Sequence, residues 1–182
     1  MSEAFDDSGV SARLDLTAHD EDGTAAVARA LAAVWHGDET LADALLTLSG
    51  DLGVGKTTFV RHLLRALGVQ GRIKSPTYAL VEPYTLALGP QRRPWPAWHA
   101  DLYRFSDPRE WEDAGLRELF ARPGLKLIEW PQHAQGALPA ADLDVELHAD
   151  ADGTRHLSLR AGSSRGRALL LALRALMPGA AP

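Results

Sequence analysis

Residues 50–57 read Gly-Asp-Leu-Gly-Val-Gly-Lys-Thr, a complete G-x-x-x-x-G-K-[ST] phosphate-binding loop. An apolar stretch at 44–48 precedes the loop, and apolar residues at helical spacing follow it as far as Gly68, where the helix is predicted to end. Loops of this kind bind nucleotide where they join a strand to a helix. The alternative interpretation is a glycine-rich turn that binds nothing. The stretch therefore predicts a nucleotide site in an α/β fold.

Backbone N–H groups that converge at the positive end of a helix bind phosphate, and the loop glycines allow the backbone to come close enough. Lys56 is predicted to reach the β and γ phosphates, and Thr57 to coordinate the Mg²⁺ that bridges them. Thr58 supplies an additional hydroxyl. The predicted nucleotide-binding residues of the loop are Asp51, Leu52, Gly53, Val54, Gly55, Lys56, Thr57 and Thr58.

Two carboxylates end strand-like segments elsewhere in the chain. Glu129 ends the apolar segment 125–129 and is predicted to be a second Mg²⁺ ligand, directly or through water. Asp101 ends another segment and could approach the phosphates and orient water. The alternatives are that Glu129 merely ends a strand at the surface and that Asp101 is a structural acid paired with Arg104. The sequence leaves open which acid acts on water.

The segment Lys-Ser-Pro-Thr-Tyr at 74–78 follows the loop helix, where a hydroxyl can sense the γ phosphate. Thr77 is the predicted sensor, and an ordinary proline turn with a capping hydroxyl is the alternative. Trp130 is interpreted as a core residue more readily than as a nucleotide or partner contact. His99 and His133 indicate no metal site, because no cluster with ligand spacing surrounds them.

Length and charge limit the class of protein. The chain has 182 residues, a net charge of −5 and no cysteine, and we expect one domain at 12–177 with flexible ends at 1–11 and 178–182. The chain contains no apolar run of membrane-spanning length and no basic leader, which predicts a cytoplasmic protein without a membrane partner. A negative net charge disfavours holding nucleic acid by bulk electrostatics, so any contact with tRNA is expected to be indirect.

The remaining periodicities predict a fold of alternating strands and helices. Strands are predicted at 12–16, 79–86, 97–103, 125–130, 145–148 and 156–159, and helices at 20–35, from Asp107-Pro108 to about Phe120, and at 164–176 with Ser163 or Ser164 as cap. The segment 89–96 is too rich in proline for either regular element and is interpreted as an elaborated hairpin tip. The predicted fold class is α/β, a single-domain P-loop NTPase with a mixed central sheet flanked by helices.

Four segments in this order closely resemble the TsaE family of bacteria. They are G-D-L-G-V-G-K-T-T-F-V-R at 50–61, K-S-P-T-Y-A-L-V-E-P-Y at 74–84, H-A-D-L-Y-R at 99–104 and L-I-E-W-P-Q at 127–132. The resemblance implies an ATPase of tRNA threonylcarbamoyladenosine biosynthesis that uses ATP and Mg²⁺. It further implies two partner proteins, the pair that transfers the threonylcarbamoyl group, while this chain does not make the transfer itself.

The resemblance also implies roles for individual residues. It assigns nucleotide and metal binding to the loop, Mg²⁺ binding to the glutamate of the last segment, and catalytic positions to the S-P-T turn and the H-x-D-L-Y-R segment. The predicted catalytic residues are Lys56, Thr77, Asp101 and Glu129, and the predicted metal ligands are Thr57 and Glu129.

Other correspondences are looser. Glu21 and Thr24 fall in a family helix beside the nucleotide base, and Arg155 matches another nucleotide-side position. The chain departs from the family where Ala100 replaces a more usual aromatic residue and where 89–96 resembles an insertion.

Three other functions are compatible with the same loop. A small-molecule kinase would need an acceptor site and a closing lid, and the proline-rich tip is short for a lid. A nucleotide-gated scaffold would bind ATP without useful hydrolysis. A GTPase is disfavoured because the chain has no N/T-K-x-D segment for reading guanine.

Overall fold

A computed structural model describes residues 13–74, 76, 80–105, 110, 115–134 and 136–177. The strands are β1 (Arg13–Ala18), β2 (Leu45–Ser49), β3 (Val81–Leu88), β4 (Arg93–Asp101), β5 (Leu125–Glu129), β6 (Leu143–Ala149) and β7 (Arg155–Ala161). The helices are α1 (Glu21–Gly37), α2 (Lys56–Ala66), α3 (Leu116–Phe120) and α4 (Ser164–Leu176), with short 3-10 turns at Glu39–Ala42 and Pro131–Ala134.

These strands form one seven-stranded sheet in the order β1-β7-β6-β2-β5-β4-β3. The four central strands, β6, β2, β5 and β4, run parallel, whereas β3 at one edge and β7 and β1 at the other pair antiparallel. Parallel strands are joined by crossovers and antiparallel ones by hairpins, which explains the mixed character. The predicted α/β fold with a mixed sheet is confirmed.

Parallel register brings the predicted acids to the end of β2, where the phosphate-binding loop begins. Leu48 of β2 is opposite Glu129 of β5, which is itself opposite Asp101 of β4. Residues opposite one another in adjacent strands point to the same face of a sheet. The loop and both carboxylates therefore meet at the carboxyl edge of the parallel strands, on one face.

The main core covers that same face. Side chains of α1, α2 and α4 pack against alternate residues of the strands, and Trp35 and Phe59 are completely buried there. A smaller cluster on the opposite face includes Ile128, Phe105 and Leu116 of α3. Because β2 and β5 are covered on both faces, they are buried along nearly their whole length, whereas buried and more exposed residues alternate in β6 and β7.

The predicted hairpin tip at 89–96 is wrong in extent. Strand β4 begins at Arg93 and includes Pro94 and Pro96, so the tip is shorter than expected. Proline cannot donate a ladder hydrogen bond and is tolerated in strands where no neighbour needs one. Pairing of β4 with β5 starts only at Ala97, so both prolines lie where β4 pairs with β3 alone.

The predicted helix from 107 to about 120 is also wrong as one continuous element. Gly115 has φ 67°, in the left-handed region, and α3 begins only at Leu116. Residues 106–109 and 111–114 lie outside the described part of the chain. The last helix agrees with its prediction: Ser163 is the N-cap of α4, and its hydroxyl accepts a hydrogen bond from the Gly166 N–H at 3.0 Å.

Candidate nucleotide-binding site

The loop between β2 and α2 depends on glycine at three positions. Gly50, Gly53 and Gly55 have φ angles of 131°, 79° and 112°, which L side chains rarely adopt. A methyl group at Gly50 would collide with the carbonyl oxygen of Leu147 in β6, while one at Gly53 would meet open space. The backbone conformation of the loop therefore requires glycine at all three positions, and close packing against β6 requires it again at Gly50.

Lys56 is buried at the first turn of α2. Its Nζ donates hydrogen bonds to the carbonyl oxygens of Gly50 (2.7 Å) and Asp51 (2.9 Å), and it lies 3.8 Å from the ring centroid of Trp130. Burial lowers the pKa of Lys56, and the carboxylates of Glu129, Asp101 and Asp51 oppose that shift. A phosphate group would supply the buried ammonium with the anionic partner that offsets desolvation.

Glu129 joins the loop to the sheet through two hydrogen bonds. The Thr57 hydroxyl donates to Glu129 Oε2 at 2.9 Å, and Nε2 of His99 lies 2.7 Å from Oε1. Glu129 is only 2% exposed and His99 is fully buried. The carboxylate therefore has a defined orientation, with one oxygen directed toward the first turn of α2.

Asp101 lies beside this pair at the end of β4. Its Oδ1 accepts a hydrogen bond from the backbone N–H of Tyr103 at 3.0 Å. Burial raises the pKa of Asp101, and the nearby Glu129 carboxylate adds to the rise. Two carboxylates in one partly enclosed site have separable tasks, one facing a cation and one facing a nucleophile.

Tyr103 and Trp130 form an aromatic wall of the cleft, and the His133 ring packs against both of them. The rings of Tyr103 and Trp130 are 4.9 Å apart between centroids, and those of Trp130 and His133 are 5.7 Å apart. Trp130 has φ 59°, a left-handed conformation that costs a non-glycine residue about 1–3 kcal/mol and is common at functional sites. This turn directly after β5 places the indole over the Lys56 ammonium.

These groups enclose a cleft of about 330 Å³. It is lined by Leu52, Gly53, Gly55, Lys56, Thr57, Thr58, Asp101, Tyr103, Glu129 and Trp130. Hydroxyl and carboxylate oxygens are the hard ligands that Mg²⁺ prefers, and Mg²⁺ commonly takes few protein ligands together with substrate phosphates. The donor set of Thr57 and Glu129, with Asp101 nearby, fits such an ion. In the described part of the chain, no group of three His, Cys, Asp or Glu side chains could hold a metal ion.

The other predicted loop residues surround the cleft without all lining it. Val54 is buried, Asp51 contributes its carbonyl to Lys56, and Leu52 is 74% exposed at the mouth. Arg155 approaches from β7, where its Nε donates to the Val54 carbonyl oxygen at 3.2 Å. Arg155 thus holds the loop from outside, and its predicted contact with nucleotide stays a prediction.

Glu21 and Thr24 lie on α1, away from the cleft lining. Glu21 is exposed and pairs with His62 of α2 at 3.0 Å, while the buried Thr24 hydroxyl donates to the Asp20 carbonyl oxygen at 3.3 Å. Their predicted role beside the base is not tested by these contacts. Thr77, the predicted γ-phosphate sensor, lies outside the described residues.

Three residues of the site were not predicted as site residues. His99 lies on the same strand face as Asp101, because residues two apart in a strand point the same way. Once Asp101 and Glu129 were both predicted at strand ends, that spacing could have placed His99 near Glu129. Tyr103 and Trp130 directly follow the acidic strand ends. A tryptophan in the left-handed region, however, carries no sequence signal.

Comparison with known proteins identifies the family of this chain. The model of the family described as threonylcarbamoyl adenosine biosynthesis protein TsaE matches residues 18–157. The chain belongs to the TsaE family. The resemblance drawn from its four sequence segments is confirmed, and the matched TsaE region includes the loop, both acids and Arg155.

Curated TsaE proteins from two bacteria cover most of the chain. The tRNA threonylcarbamoyladenosine biosynthesis protein TsaE of Haemophilus influenzae is 42% identical over 128 residues, which are 70% of this chain and 77% of that protein. The Bacillus subtilis protein of the same description is 35% identical over 121 residues, 66% and 72% of the two chains. The crystal structure of Bacillus subtilis YdiB superposes with a TM-score of 0.70 at 27% identity, covering 90% of this chain and 95% of YdiB.

Among the described residues, every helix is too short or too polar to cross a bilayer.

Proposed function

We propose that this TsaE chain is a Mg²⁺-dependent ATPase of tRNA threonylcarbamoyladenosine formation. In this proposal it works in the cytoplasm with a two-protein transferase complex and does not transfer the threonylcarbamoyl group itself. The observation that carries the proposal is the convergence of Lys56, Thr57, Asp101 and Glu129 on one cleft beside a phosphate-binding loop. The TsaE relatives, described as tRNA threonylcarbamoyladenosine biosynthesis proteins, support the pathway.

Different residues of the cleft bind the phosphates, hold Mg²⁺ and orient the attacking water. The loop backbone and Lys56 bind the phosphates, because the N-terminus of α2 and a buried ammonium both favour anions. Thr57 and Glu129 would hold Mg²⁺, which neutralises charge on phosphate oxygens when bound. Asp101, at the same edge of the sheet, accepts a hydrogen bond from the attacking water and orients it.

The aromatic wall shields the Lys56 ammonium from bulk water. Trp130 covers Lys56, so the ammonium faces the loop instead of bulk water. Electrostatic attraction between the ammonium and phosphate is stronger where water is excluded. Because Tyr103 remains 45% exposed, the cleft stays open on that side, where a partner protein could complete it.

The test is Mg²⁺-dependent release of phosphate from ATP by the purified chain, alone and with the two transferase proteins. Lys56→Ala serves as the blank, and Arg160→Ala is the control because Arg160 is an exposed cation on β7 that does not line the cleft. We expect turnover that the partners stimulate, that Lys56→Ala abolishes and that Arg160→Ala leaves within about twofold.

Three results would contradict the proposal. Equal turnover in Lys56→Ala and the wild type would remove the loop from the reaction. ATP binding without stimulated turnover would indicate a nucleotide-gated scaffold, and phosphate transferred to an added small molecule would indicate a kinase.

A further inference from the structure

His99 is a fully buried polar residue behind the cleft. It does not line the cleft, yet its Nε2 lies 2.7 Å from Glu129 Oε1. Burying an imidazole costs free energy unless its nitrogens are hydrogen-bonded, so a buried histidine needs a physical reason.

Only one of the two ring nitrogens of His99 has a hydrogen-bond partner among the described residues. A carboxylate oxygen accepts and does not donate, so the proton of the bond to Glu129 is on Nε2. The Nδ1 atom has no hydrogen-bond partner among the described residues. Among the described residues, Glu129 is the one hydrogen-bond partner of the imidazole, as expected for a group that positions that carboxylate.

Strand register explains how the two side chains meet. Asp101 and Glu129 are opposite one another on β4 and β5, and His99 precedes Asp101 by two residues on the same face. His99 thus reaches Glu129 diagonally, from the interior side of the acid pair. Glu129 is held between His99 on one oxygen and Thr57, the first-turn hydroxyl of α2, on the other.

We propose that His99 is a positioning residue that fixes the Glu129 carboxylate with Oε2 directed at Thr57, so that a divalent cation meets a preset pair of ligands. This inference rests on the proposed function, because it deepens the role of Glu129. Hydrogen-bond partners of metal ligands typically change metal affinity about 10–100-fold when removed.

The test uses two amide variants that differ in reach. His99→Gln places an N–H near the position of Nε2, whereas the shorter His99→Asn does not extend to Glu129. We would measure the affinity of the full chain for ADP by calorimetry, with Mg²⁺ titrated in and with EDTA. The Mg²⁺ half-saturation concentration should rise about tenfold or more in His99→Asn and stay within about threefold in His99→Gln. Affinity for ADP in EDTA should be unchanged in both.

A purely structural role for His99 would predict different results. If both variants kept the wild-type Mg²⁺ dependence, or both lost it equally, positioning by the Nε2 bond would be refuted. A wild-type chain that does not bind ADP would refute the proposed function and this inference together. Normal Mg²⁺ dependence in His99→Asn would refute this inference alone.

A measurement on the wild-type chain avoids the folding of variants altogether. In ¹⁵N-histidine spectra, the Nε2 signal of His99 should have the chemical shift of a nitrogen that carries a proton. That signal should move when Mg²⁺ is added to the ADP complex. His36 provides the matched control, because its ring contacts the carbonyl oxygen of Ala66 at the C-terminal end of α2, whereas the cleft is at the N-terminal end. A His99 signal that moves no more than that of His36 would overturn the inference.

Discussion

Replacing Gly50 by alanine should destabilise the protein more than the same change at Gly53. Both glycines have φ angles in the left-handed half of the map, 131° and 79°. An alanine there costs about 1–3 kcal/mol in backbone strain. At Gly50 the added methyl also collides with the Leu147 carbonyl oxygen and lies 3.1 Å from a Val54 methyl, whereas at Gly53 it meets nothing within 4 Å.

The collision at Gly50 involves the backbone of a central strand, which cannot turn aside as a flexible side chain does. Overpacking of this kind adds about 1–3 kcal/mol, so we expect a total loss of about 2–6 kcal/mol for Gly50→Ala and about 1–3 kcal/mol for Gly53→Ala. With a urea dependence of about 2–3 kcal/mol per molar, the two unfolding midpoints should differ by roughly 1 M.

The assay is urea unfolding followed by tryptophan fluorescence, without nucleotide, so that binding does not contribute to stability. Because Gly53→Ala carries the dihedral strain without the collision, it isolates the contact with Leu147. Coincident midpoints for the two variants would refute the view that this contact demands glycine at position 50. A Gly50→Ala protein as stable as the wild type would refute both parts of the reasoning.

Two further predictions concern single side chains of the site. Asp101→Asn keeps the acceptor for the Tyr103 N–H but removes a charge whose pKa burial raises. Turnover should fall at least tenfold, while stability at neutral pH should exceed that of the wild type. The native state binds the Asp101 proton more tightly than the unfolded state, so this gain should grow as pH rises from 3.8 through the raised pKa and vanish at lower pH, as urea unfolding at several pH values would test. Arg155→Met should weaken ADP binding about threefold to tenfold by freeing the Val54 carbonyl oxygen, and Arg160→Met, an exposed position on the same strand, should not; equal affinities in calorimetry would contradict this.

Much of the fold was predictable because its signals are local. The apolar run of β2, the three-glycine loop and the amphipathic α2 lie within 45–66, where backbone preferences and hydrophobic period act over a few residues. The Ser163 cap of α4 was predicted for the same reason. The prolines of β4 were misjudged because their tolerance depends on where β5 begins, which is a property of the whole sheet.

The sequence by itself determined the phosphate-binding loop, because its residues are consecutive in the chain. It also determined the two strand-ending acids, because each acid directly follows its own apolar segment. Only the tertiary structure decided that His99 contacts Glu129, that Trp130 covers Lys56 and that Arg155 holds the loop. These pairs are separated by 30 or more residues in the chain, and strand order and register bring them together. Periodicity shows which face a residue occupies, whereas the neighbour it meets there is set by the packing of the complete sheet.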